Sequence, residues 1–232
     1  MLYIIKTNDL RYEHLKEYCK EKYNVLYDDK IPINYVMDIL ILPIEGIDEF
    51  GYIKGTNLNL ERILEMNKVK KIYCGKIKQK LKELTKKYNV ELISIYDDIC
   101  YCSKMFNLKI QIIRFFISEK LQTCFDDVKI LVIGNDYKAY LISERLCCDI
   151  YDYNSISTKA INNLELNKYD CIIKMDYFNL EFDKIIIEMS DIEKIDLEYM
   201  IKNKNIYYIN HLERQYLTKS SAKIMYDSLV KI

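Results

Sequence analysis

Short apolar runs rich in Ile, Leu, Val and Tyr recur along this chain, each followed by a longer stretch with apolar residues three or four positions apart. The first pattern is that of buried strands, the second that of helices packed along one face. In the first half it predicts strands at 2–5, 24–27, 37–42, 71–74 and 91–94, with helices at 9–22, 58–67 and 76–88 between them. Asp9 and Asn57 are the expected N-caps of the first two helices. The second half opens with a long helix at 104–121. Strands follow at 128–133, 148–152, 170–174, 184–188 and 205–209, with helices at 138–147, 157–166, 197–202 and 218–230. Such alternation implies an α/β protein with mainly parallel sheets. The natural parse is two lobes joined near residue 104. Residues 1–104 form a flavodoxin/Rossmann-like N-terminal lobe. Residues 105–232 supply an interdomain helix, a Rossmann-like lobe and a final helix that packs back across the cleft.

Composition narrows the function classes. Half of the 232 residues are apolar, 30% are charged, and Gly (5) and Pro (2) are scarce, so the chain is globular. With 35 basic and 35 acidic residues, it has no electrostatic case for nucleic acid or for an anionic membrane. The Lys-rich stretches 68–71 and 76–80 are interrupted by apolar residues and read as solvated faces. No apolar run is long enough to span a bilayer. The eight cysteines lack C-x-x-C spacing, and His14 and His211 have no clustered ligands, so no metal site is expected. Cys100 and Cys102 alternate as on one strand face, and the thiols read as reduced and mostly buried in a cytoplasmic protein.

The candidate chemistry sits where strands run into helices. Val128 to Ile133 ends in Gly134-Asn135-Asp136 and opens a helix containing Ala139. This is the dinucleotide fingerprint G-x-G-x-x-G/A with aspartate at its second glycine. A bare backbone there normally approaches a pyrophosphate at the positive end of the helix. Asp136 instead brings a side chain and a negative charge that can cap the helix itself. Asp152, ending the next strand, stands where a ribose 2′-OH would be held, which would favour NAD over NADP. A second corner, Thr7-Asn8-Asp9-Leu10-Arg11, joins an acid, a base and backbone N–H groups, and suits a small anionic ligand as well as a simple capped helix start. Pro43-Ile44-Glu45-Gly46 and Lys219-Ser220-Ser221 are weaker candidates. There is no nucleophile–base pair, H-E-x-x-H motif or P-loop.

The order of these pieces resembles the family of the dipicolinate synthase A chain. Its G-D-x-R-like corner is matched by Asp9 and Arg11, its I-L-P strand end by Ile41-Leu42-Pro43, and its G-K strand end and K-E-L helix by Gly75-Lys76 and Lys82-Glu83-Leu84. Its V-L-G nucleotide strand is similar to Leu131-Val132-Ile133-Gly134, and its P-K-T-A-G stretch to Thr218-Lys219-Ser220-Ser221-Ala222. The chain reads as a diverged, shortened member from a spore-forming bacterium. The resemblance implies an NAD(P)-dependent oxidoreductase that acts on a dihydrodipicolinate-type compound in sporulation and whose partner is a small B-type subunit. NAD or NADP would lie over Gly134, Asn135, Asp136 and Ala139, with Asp152 on the ribose. A small dicarboxylate would sit between the lobes near Asp9, Arg11, Lys219 and Ser220. A homo-oligomer is also open. The departures matter equally. The family's P-T-A-E-G, S-x-P-G-G and P-G-L-P-G loops become Phe106-Asn107-Leu108-Lys109-Ile110, Ser190-Asp191-Ile192-Glu193-Lys194 and Asn210-His211-Leu212-Glu213-Arg214. Scaffold kept and loops rewritten also fits a non-catalytic pseudoenzyme that binds a partner or regulates.

Overall fold

The computed structural model describes residues 1–31, 33–152, 165–176, 178–180, 182–190 and 204–231. The chain divides into two compact units. Unit 1 is Met1–Phe106 with Leu217–Ile232, and unit 2 is Asn107–Tyr216.

Unit 1 begins with β1 (Leu2–Ile5), α1 (Leu10–Lys20), β2 (Val25–Asp28), β3 (Val36–Ile41), α2 (Leu60–Met66), β4 (Lys68–Cys74), α3 (Gln79–Lys87) and β5 (Glu91–Ser94). The strands form one parallel sheet in the order β2-β1-β3-β4-β5. All four residues of β1 are buried, because helices cover both faces of a parallel sheet and leave no solvent side to demand polar alternation. Tyr3, Ile5, Leu40, Ile63, Ile72 and Leu81 knit the sheet to α2 and α3 in one apolar cluster.

Helix α4 (Ile99–Leu121) carries the chain into unit 2. There β6 (Ile130–Ile133), α5 (Tyr137–Leu146), β7 (Asp149–Tyr151), β8 (Cys171–Lys174), β9 (Ile185–Glu188), β10 (Ile206–Tyr208) and α6 (Ile209–Gln215) follow. The second sheet is also parallel, in the order β10-β9-β8-β6-β7. Numbered within their own units, both sheets run 2-1-3-4-5, the flavodoxin-like doubly wound order. That order places a crevice where the winding reverses, at β1/β3 and at β6/β8. The last helix, α7 (Thr218–Leu229), returns to unit 1 and packs on α1, with Tyr18 and Tyr226 rings 5.9 Å apart. The sequence had grouped this helix with residues 105–232.

Several expected boundaries move, each for a local reason. The N-cap of α2 is Asn59, whose side chain accepts from the Arg62 N–H, and not Asn57. Thr56 has already turned the chain there, donating to the Ile53 carbonyl and accepting from the Leu58 N–H. Helix α3 starts at Gln79 instead of 76, because Lys76 N–H is held by the Ile44 carbonyl at 2.7 Å. Helix α4 starts five residues early, on Asp98, whose side chain accepts from the Cys100 N–H. Cys100 and Cys102 are therefore helical and exposed, not on a strand face. Cys19, Cys74 and Cys171 are buried, Cys148 is half-buried, and Cys124 and Cys147 are exposed, which corrects the mostly buried expectation. The strand expected to reach residue 209 stops at Tyr208 and turns directly into α6, unforeseen because no Gly, Pro or capping side chain marks the turn. The helices expected at 157–166 and 197–202 lie outside the described residues, apart from a short 3-10 turn at Leu166–Lys168.

Candidate functional site

The nucleotide-type corner of unit 2 forms as the spacing implies, and its own side chains fill it. Gly134 directly follows β6 at the crevice beside β8, where a Cβ would lie 2.7 Å from the Met175 side chain and 2.9 Å from Ala139 Cβ. Packing of helix on strand therefore requires that glycine, with or without a ligand. Asp136 is the N-cap of α5, extended at φ −99° and ψ 166°, and its Oδ1 accepts from the Ala139 N–H at 2.8 Å. This N–H belongs to the set of unpaired donors at a helix start that a dinucleotide pyrophosphate would take. Asn135 and Asp136 are exposed, so the edge presents a carboxylate to any approaching anion. Asp152, just past β7, is engaged as well: the Tyr140 hydroxyl of α5 donates to its carboxylate. That bond raises the Tyr140 pKa above its ordinary value. Tyr140 thus occupies the bond in which a ribose hydroxyl would serve. As they stand, these residues do not fit a dinucleotide.

In unit 1, Asp9 caps α1 and turns both carboxylate oxygens onto Arg11. Oδ1 accepts from the Arg11 backbone N–H at 3.0 Å and from Nε at 2.9 Å, and Oδ2 from Nη2 at 2.6 Å. Arg11 is only 3% exposed. The corner is a buried, mutually satisfied ion pair, in which Asp9 competes with any anionic ligand for the guanidinium. Beside it, Tyr12 donates to the Leu42 carbonyl at 3.4 Å, and burial drives its hydroxyl pKa well up. Gly46, at φ 69°, sits so close to the Lys76 carbonyl (2.7 Å to an added Cβ) that the loops after β3 and β4 are clasped together. Lys219 and Ser220 lie exposed in the first turn of α7, whereas the neighbouring Ser221 is buried against Met105. A cleft of about 480 Å³ in the same unit lies elsewhere, at the amino ends of β3 and β4, lined by Tyr35, Met66, Lys68 and Tyr88.

One constellation had no counterpart among the sequence-based expectations. Lys174 and Glu188 end β8 and β9, stand opposite each other in the register, and are 0% and 1% exposed. Lys174 Nζ lies 2.9 Å from Glu188 Oε2, donates to the Phe178 carbonyl and sits 4.5 Å from the Phe178 ring centroid. Glu188 Oε1 accepts from the Ser190 N–H at 3.2 Å. Burial lowers the Lys174 pKa, and the Glu188 charge works against that shift. Opposite charges closing two otherwise apolar four-residue strands were the available signal.

Among the described residues, no helix is long and apolar enough to cross a membrane, and no group of three or more His, Cys, Asp or Glu could hold a metal. No protein-family model and no curated protein matches the chain. Solved structures do. The dipicolinate synthase A chain from Bacillus halodurans superposes at a TM-score of 0.68 and 16% identity, over 99% of this chain and 97% of that one. The A chain of dipicolinate synthase from Bacillus subtilis gives 0.62 and 13%, over 99% and 94%. NAD⁺-bound 3-phosphoglycerate dehydrogenase from Entamoeba histolytica gives 0.50 and 13%, over 100% and 93%. Over nearly its whole length, this chain shares the fold of the dipicolinate synthase A chain and, more distantly, of an NAD-dependent dehydrogenase.

Proposed function

We propose that this chain is a non-catalytic protein of the dipicolinate-synthase-A type, which keeps the two-unit scaffold, has given up dinucleotide-dependent hydride transfer, and works by binding a partner. The observation that carries this reading is the Asp136 carboxylate on the Ala139 N–H. A pyrophosphate approaching this helix start would meet a like charge, and a ribose hydroxyl would have to displace the Tyr140–Asp152 bond beside it. By analogy with the fold relatives, a small B-type subunit is the first partner to try. A cytoplasmic place in a sporulating cell fits the same analogy.

The test is isothermal titration of the purified protein with millimolar NAD⁺ and NADP⁺, alongside Asp136→Gly. Glycine is tolerated at an N-cap at a cost of only a few tenths of a kcal/mol, so the variant should fold, and it restores the Gly-x-Gly-x-x-Ala spacing. The expected result is no saturable heat for the natural protein. A saturable isotherm with either nucleotide would overturn the reading. It would favour the second one, an NAD(P)-dependent oxidoreductase acting on a small dicarboxylate, for which Ala139 and the acid at Asp152 speak.

A further inference from the structure

At the far edge of the second sheet from the nucleotide corner, β10 runs into α6 and α4 passes alongside. Here unit 2 holds a cavity of about 230 Å³. Its walls are mostly aromatic. The Phe116 ring centroid is 4.7 Å from that of Tyr207 and 6.1 Å from that of Tyr216, and Tyr208 meets His211 edge-on at 5.7 Å. Lys120 reaches over two of the rings, its Nζ 5.3 Å from the Tyr207 centroid and 5.9 Å from that of Phe116. Among the described residues, no Asp or Glu lines it. The nearby Glu119 is engaged by the Tyr216 hydroxyl at 2.7 Å. The described lining thus combines flat π faces, one ammonium group and an imidazole whose pKa is lowered by burial and the nearby Arg214, so Lys120 is its cation and the imidazole a neutral N–H donor.

We propose that this cavity binds a small planar aromatic carboxylate, its ring packed against Tyr207 and Tyr216 and its carboxylate held by Lys120 with the His211 N–H beside it. Offset or edge-to-face aromatic packing sets the preference for a flat ring, and the charge-assisted bond from Lys120 sets the preference for an anion. The volume limits the ligand to about one ring, since sites for drug-sized ligands span roughly 300–1,000 Å³. A dinucleotide is therefore not the occupant, and the site stands or falls apart from the nucleotide corner.

Isothermal titration of the whole protein tests this with three probes: benzoate, cyclohexanecarboxylate, which has the charge without the π face, and benzamide, which has the ring without the charge. Saturable benzoate binding, at least tenfold tighter than either control, is the expected result. Lys120→Gln, at an exposed position, should weaken benzoate by about tenfold and leave benzamide unchanged. Absence of saturable benzoate binding would overturn the proposal, as would equal binding of cyclohexanecarboxylate. Benzoate affinity unchanged in Lys120→Gln would place the ligand elsewhere and likewise defeat it.

Discussion

A methyl group on residue 134 would press into the Cβ and Cγ of Met175 and the Cβ of Ala139, atoms near the backbone that cannot swing aside. Gly134→Ala should therefore destabilise unit 2 by about 1–3 kcal/mol, the usual cost of overpacking, read as a lowered urea midpoint with no nucleotide present. An unchanged midpoint would mean that Met175 yields freely, and the glycine would need another explanation. The buried pair on β8 and β9 gives a sharper contrast. Lys174→Met strands the Glu188 carboxylate and should cost about 3–5 kcal/mol, whereas Lys174→Met with Glu188→Met should recover most of that loss. Equal losses in the single and double variants would show that the pair does not act as a unit. The glycine and its neighbouring Asp136 were legible in the sequence because loop spacing announces them. Lys174 and Glu188 were not, since a charge that ends a strand usually meets water, and only the strand register reveals that these two meet each other.

Secondary structure was legible where composition changes sharply and illegible where it does not. Strands β1 and β5 fall within the expected bounds, each an apolar stretch with a distinct end. Helix α6 was missed because Tyr208 and Ile209 look alike on either side of a strand-to-helix turn. The early start of α4 hid behind Ile99 and Tyr101, which suit a strand as well as a helix. Asp136 was read correctly as a possible cap, and α5 supplies its measurement. Asp136→Ala should lose about 1 kcal/mol of stability through the uncapped helix start, while Asp136→Gly should lose only a few tenths. If Asp136→Ala were as stable as the natural protein, the carboxylate would not be acting as a cap, and the case for a closed nucleotide corner would weaken with it.

Across the molecule, burial sets the response to alkali. It pushes the thiols of Cys19, Cys74 and Cys148 from an ordinary 9.0 up to about 12, and the hydroxyls of Tyr3 and Tyr27 from 10.0 up to about 12. The folded chain keeps protons that the unfolded chain releases, so this contribution is intact below about pH 9 and fades as the pH climbs toward 12. The urea midpoint should fall steadily over that window, and a flat profile would contradict the burial of these groups. The likeness of the two sheets was invisible in the sequence, where no repeat survives, because strand order depends on long-range pairing that no local pattern records. The path of the chain through the two units also bears on its synthesis. Unit 2 is inserted between the body of unit 1 and α7, so a ribosome makes all of Asn107–Tyr216 before α7 emerges to cover α1. At about 5–20 residues per second, that leaves the apolar face of α1 bare for on the order of ten seconds. The unit translated first is thus the last able to finish folding, and during that interval it is the part of the nascent chain most in need of a chaperone.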